Sequence, residues 1–62
     1  MQDWFVSWLY DDGMGDRLEG WNIFTVSSSK APKQVAVDFI KETAREIRRS
    51  EGRIVLKSFN RV

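Results

Sequence analysis

Sixty-two residues with a net charge of +1 and neither cysteine nor histidine bound this chain to a single domain, 1–62, with no disulfide, no Cys/His zinc site and no histidine general base. A chain this short buries only about 60% of its unfolded surface, so its core sits near the lower limit for an unaided fold and gains from a partner. Met1-Gln2-Asp3-Trp4 lacks the basic start of a signal peptide, and the apolar run Trp4 to Tyr10 falls far short of the roughly 20 residues of a membrane span; a soluble, cytoplasmic protein without membrane contact is expected.

The first element is Trp4 to Tyr10 (WFVSWLY), whose aromatic and β-branched content predicts a strand. Its two faces, Trp4/Val6/Trp8/Tyr10 and Phe5/Ser7/Leu9, are both largely apolar, as in a central strand covered above and below. Asp11 to Asp16, with Gly13 and Gly15, reads as a hairpin connection that polar residues extend towards Gly20. Its acids do not follow the alternating ligand spacing of a calcium loop, and its two glycines lack the strand-glycine-helix setting of a dinucleotide site. Neither a metal nor a cofactor is expected. Trp21 to Val26 (WNIFTV) returns as a second two-sided strand.

Ala31 to Ser50 reads as one amphipathic helix. At about 100° per residue, Pro32, Ala36, Phe39, Ile40, Thr43 and Ile47 form a buried stripe, and Gln34, Asp38, Lys41, Glu42, Arg45, Arg48 and Arg49 form a wet one. Asp38/Lys41 and Glu42/Arg45 are spaced to pair. Any of Ser27, Ser28 or Ser29 can cap the start, Pro32 suits a first turn, and Gly52 is free to take the left-handed conformation that closes the end. Arg53 to Phe59 then forms a third strand. Strict alternation gives it a core face of Ile54, Leu56 and Ser58, and an outer face of Val55, Lys57, Phe59 and Arg61.

The order ββαβ, with a right-handed crossover through the helix, predicts an α+β domain. Its three-stranded antiparallel sheet has order 2-1-3, with one helix packed on one face. Phe5-Val6-Ser7-Trp8 near the start, and Ile54 to Phe59 followed by Arg61-Val62 at the end, resemble short uncharacterised phage and prophage-type proteins. Those proteins open on a Phe-Val-Ser-aromatic strand and close on an apolar strand, a polar residue and an aromatic. Where they carry Gly-aromatic-Gly-Asn in the second strand, this chain has Gly20-Trp21-Asn22, one glycine fewer. The resemblance implies a phage or prophage setting and no particular mechanism.

Without histidine, a serine nucleophile would need a desolvated lysine such as Lys30 or Lys57, which so small a domain is poorly able to provide, and no enzyme is expected. All three strands are apolar on both sides, yet one helix covers one side. This surplus predicts an interaction module, homodimeric through the second face or joined edges, or docked on a host protein. Trp8, Tyr10, Val55, Lys57, Phe59 and Arg61 are the expected partner-binding residues. The charge is also divided, with −3 in residues 1–31 and +4 in residues 32–62, which favours an acidic partner or a second copy. The alternative is a nucleic-acid-binding surface in which Lys57 and Arg61 flank Phe59 beside a helix ridge of Lys41, Arg45 and Arg48.

Overall fold

Alternation along the first strand sends Gln2, Trp4, Val6, Trp8 and Tyr10 to one side, and that side carries the helix. The computed structural model describes all residues, 1–62. They form β1 (Gln2–Asp11), β2 (Arg17–Val26), α1 (Pro32–Ile47), a 3₁₀ turn (Glu51–Arg53) and β3 (Ile54–Arg61). The sheet order is β2-β1-β3, with β1 antiparallel to both neighbours, so the chain is the expected α+β ββαβ fold with β1 central. β2 starts at Arg17 rather than Trp21, because the hairpin register runs unbroken from Gln2 opposite Val26 to Asp11 opposite Arg17. No helix is long and apolar enough to cross a membrane.

The hairpin turn is built by its own side chains. Gly13 and Gly15 have φ of 78° and 101°, a left-handed region that glycine enters without steric cost. Asp11 Oδ1 accepts the Gly13 N–H at 2.8 Å, and Asp12 Oδ1 accepts those of Met14 and Asp16 at 2.8 and 3.2 Å. Asp16 itself accepts a bond from Arg49 at 2.6 Å, tying the turn to the far end of α1. The Asp16 carboxylate, bonded to the Arg49 guanidinium, holds the arginine pKa above its ordinary value.

Two apolar clusters fill the space between sheet and helix. Trp4, Val6 and Val26 meet Val35 and Phe39 in one, and Tyr10 and Ile54 meet Ala44 in the other. Phe39 stands edge-on to Phe24 with centroids 5.4 Å apart, a favoured aromatic geometry. The buried stripe of α1 therefore includes Val35, which is wholly buried, while Pro32 lies exposed at the helix start. The pair clusters leave one donor unmet, the buried Trp4 Nε1.

Both helix ends differ from expectation. The N-cap is Ala31, with no side-chain cap. The serines instead build a turn in which Lys30 N–H bonds Ser27 O at 3.1 Å and Ser29 N–H bonds Ser27 Oγ at 3.3 Å. Buried Gln2 holds that turn, its Nε2 donating to Ser27 O at 2.8 Å and to Lys30 O at 2.9 Å. At the other end Arg48, not Gly52, takes the left-handed conformation (φ 56°, ψ 48°), at a backbone cost of about 1–2 kcal/mol for a side-chain-bearing residue. Arg49 offsets it by reaching back from Nη1 to Ile47 O at 2.9 Å and Arg48 O at 3.3 Å, covering carbonyls that the ended helix leaves open. Gly52 lies inside the 3₁₀ turn.

Ion pairing follows the tertiary structure as well. Asp38 pairs with Lys30 at 2.5 Å rather than with Lys41, and Gln34 adds a bond at 2.8 Å. These bonds, that of Lys30 first, hold the Asp38 carboxyl below its ordinary pKa. Glu42 and Arg45 do pair, at 3.5 Å.

Strand β3 departs furthest from its sequence pattern. Leu56 lies opposite Trp8 and Ser58 opposite Ser7, so Lys57 is an extra residue, a β-bulge. One inserted residue reverses the facing of everything after it. Phe59 and Arg61, expected on the outer face with Lys57, fall instead on the helix-bearing side opposite Val6 and Trp4. Ser58, expected in the core, is exposed.

Candidate functional site

The side of the sheet away from α1 is covered by no element of the chain. Across it, Phe5 lies opposite Ile23, Ser7 opposite Trp21, and Leu9 opposite Glu19 on one side and Val55 on the other. Trp21 is 68% exposed, Val55 60% and Ile23 44%, and Phe5 and Leu9 are half-buried between their neighbours. Phe5 and Trp21 hold their rings 6.0 Å apart and tilted by 30°, within the range of a favourable aromatic pair. A shallow hollow of ≈ 370 Å³ sits here, lined by Phe5, Ser7, Glu19, Trp21 and Lys57, with Trp8 and Gly20 at its border.

Polar groups frame the apolar centre. At one end Thr25 Oγ1 donates to Asp3 Oδ1 at 2.6 Å, and at the other Asp11 lies opposite Arg17. With Glu19 and Lys57 nearer the middle, acids outnumber cations on this face. The basic ridge of Lys41, Arg45 and Arg48 lies on the exposed side of α1, across the sheet from Lys57.

Of the residues expected to bind a partner, Val55 and Lys57 lie on this open face. The side chains of the other four belong to the helix-bearing side, although Trp8 also contributes to the lining of the hollow. Tyr10 is buried against Ala44 and Ile54. Trp8 packs under the helix over Gly20, where a Cβ would come within 3.0 Å of the indole ring, so Gly20 is what lets that ring lie flat. Phe59 stacks on Trp4 with centroids 4.6 Å apart, and Arg61 is exposed at the same side's end. The expected basic-aromatic trio is thus split by the bulge.

Phe5, Leu9, Trp21 and Ile23 take the place of those four. Their cue was present in the sequence, since Trp21 and Ile23 alternate in phase with Phe5 and Leu9 once the two strands are paired through the turn. The bulge also left a trace: the apolar residues Ile54, Leu56 and Phe59 step by two and then by three, which a regular strand with one buried face does not do.

No protein-family model, no curated protein and no solved structure matches the chain.

Proposed function

We propose that this protein is a small non-enzymatic binding module that works by laying its open sheet face against another macromolecule, a protein with an apolar surface of its own. The observation that carries the reading is Trp21, 68% exposed beside Ile23 and Val55 on a face that nothing in the chain covers. Contiguous apolar surface of this kind marks interaction sites on soluble proteins. An exposed indole surrounded by half-buried neighbours is also the residue type most often found to dominate a binding interface. A phage or prophage setting, suggested by the resemblance of the strand motifs, and a cytoplasmic location belong to the same proposal.

A nucleic-acid reading has one observation in its favour, the placing of Lys57 with Phe5 and Trp21 around a single hollow, since sheets bind single strands through basic and aromatic side chains. It is the weaker reading, because Glu19 shares that hollow and acids outnumber cations across the face.

Affinity capture from the host with tagged wild type and a Trp21→Ser variant tests the proposal. Wild type should retain a nuclease-resistant protein partner that Trp21→Ser loses while keeping its circular dichroism spectrum. Equal capture by both would sink the open face as the working surface. A nuclease-sensitive capture lost in Lys57→Glu would move the assignment to nucleic acid.

A further inference from the structure

The two edges of the sheet are protected unequally. β3 carries a bulge at Lys57 and a second cation, Arg61, and bulges and charges are the means by which edge strands resist pairing with other chains. β2 has neither along most of its length. Its ten residues run in unbroken register, and from Gly20 to Val26 (GWNIFTV) they include no charge and no proline. The Ile23 N–H is bonded at 2.9 Å by the side chain of its own neighbour, Asn22, and so points away from β1. Alternation then turns the Glu19, Trp21 and Thr25 N–H groups to the same free edge. Asn22, on the helix-bearing face, is exposed, so α1 does not reach over the middle of this edge; towards Val26, Lys41, Glu42 and Arg45 of α1 border a hollow beside Phe24 and Thr25.

We propose that the β2 edge pairs with the β2 edge of a second copy of this chain, antiparallel about a two-fold axis at Asn22, to give a continuous six-stranded sheet. The occupant is chosen by self-complementarity. A two-fold axis at Asn22 sets Trp21 opposite Ile23 of the second copy, Gly20 opposite Phe24, Leu18 opposite Val26 and Glu19 opposite Thr25. Aromatic with β-branched, aromatic with glycine and aliphatic with aliphatic are favourable cross-strand pairs, and no like charges face each other. The outward N–H groups meet in hydrogen-bonded pairs, giving about eight main-chain bonds. The Ile23 N–H is released from Asn22 to the Trp21 carbonyl of the second copy, and the two Asn22 amides meet at the axis.

The proposal deepens the reading of the open face, because pairing joins two such faces and brings both Trp21 and Ile23 pairs to the middle of the joint surface. Its own evidence is the edge, however, and its test reads the edge alone. Light scattering at micromolar concentration should give twice the 7.3 kDa chain mass. Hydrogen exchange should show the Trp21, Ile23 and Thr25 amides slowed by tenfold or more on going from dilute to concentrated protein. Ile23→Pro removes an N–H that β1 does not use and should halve the mass with the β1–β2 pairing kept, whereas Val55→Lys, on the open face away from β2, should leave the dimer intact. A chain-mass particle at high concentration overturns the proposal. So does a dimer dispersed by Val55→Lys with unprotected β2 amides, which would be face-to-face packing. If Ile23→Pro does not fold, the exchange pattern of the wild type decides. Loss of partner capture in Trp21→Ser bears on the open face and leaves the mass and exchange results to stand by themselves.

Discussion

Phe59 lies flat against Trp4, ring centroids 4.6 Å apart and planes inclined by 9°, although the two residues are 55 positions apart in the chain. The bulge at Lys57 makes this contact, since without it Phe59 would leave the sheet on the opposite side. The stack fastens the end of β3 to the start of β1, where Val62 N–H also bonds Asp3 O at 3.0 Å.

Phe59→Ala should therefore cost up to about 3 kcal/mol, the low end for truncating a large aromatic because Phe59 is only partly buried. Val55→Ala, on the open face, should cost under about 0.5 kcal/mol. Denaturant melts of the two variants check this. Equal midpoints would mean that the bulge is misplaced and that Phe59 and Val55 share a face.

Gln2 gives a second outcome. Its amide donates to two backbone carbonyls, Ser27 and Lys30, from a buried position. Gln2→Leu should cost about 1–3 kcal/mol by leaving the Lys30 carbonyl unmet and the Ser27 carbonyl with the Lys30 N–H alone, and Gln2→Glu should cost more, because a carboxylate only accepts and would face two acceptors. Thermal unfolding at neutral pH should rank wild type above Gln2→Leu and Gln2→Leu above Gln2→Glu.

The phase of α1 is tested by Phe39 and Arg45. Phe39 is 2% exposed and packed on Phe24, and Arg45 is exposed with a 3.5 Å partner in Glu42. Phe39→Ala should cost on the order of 3–5 kcal/mol, enough to unfold so small a domain, and Arg45→Ala under about 0.5 kcal/mol. Circular dichroism of both variants at room temperature is sufficient, and a folded Phe39→Ala would contradict the packing.

Asp38 supplies a pH dependence. Its carboxyl is held below the ordinary value by Lys30 and then Gln34, so the unfolded chain takes up this proton first as the solution is acidified. The stabilisation is fully present above the ordinary carboxylate range, about pH 4, and is lost as pH falls through the lower folded value. Wild type should melt above Asp38→Asn at pH 7, and the gap should close on acidification below about pH 4. A gap that stays constant with pH would mean that the Lys30 pair contributes nothing through charge.

The sequence by itself determined the element order, the central place of the first strand and the surplus of apolar faces, because these follow from local alternation, helical periodicity and the connection rules for ββαβ chains. It also determined Pro32 at the helix start and Phe39 on the buried stripe, both set within one or two turns of chain. Tertiary structure decided the rest. The bulge at Lys57 depends on how β3 meets β1, and one extra residue there moved Phe59 and Arg61 across the sheet while leaving Val55 and Lys57 behind. The partner of Asp38 depends on where the loop carrying Lys30 is held, which is set by Gln2, paired with Val26 at the open end of the hairpin. At the end of α1, Arg48 takes the left-handed turn and the next residue, Arg49, is held by Asp16 of the hairpin turn, 33 positions away. In each case the deciding contact joins residues far apart in sequence, and a pattern read along the chain carries no term for it.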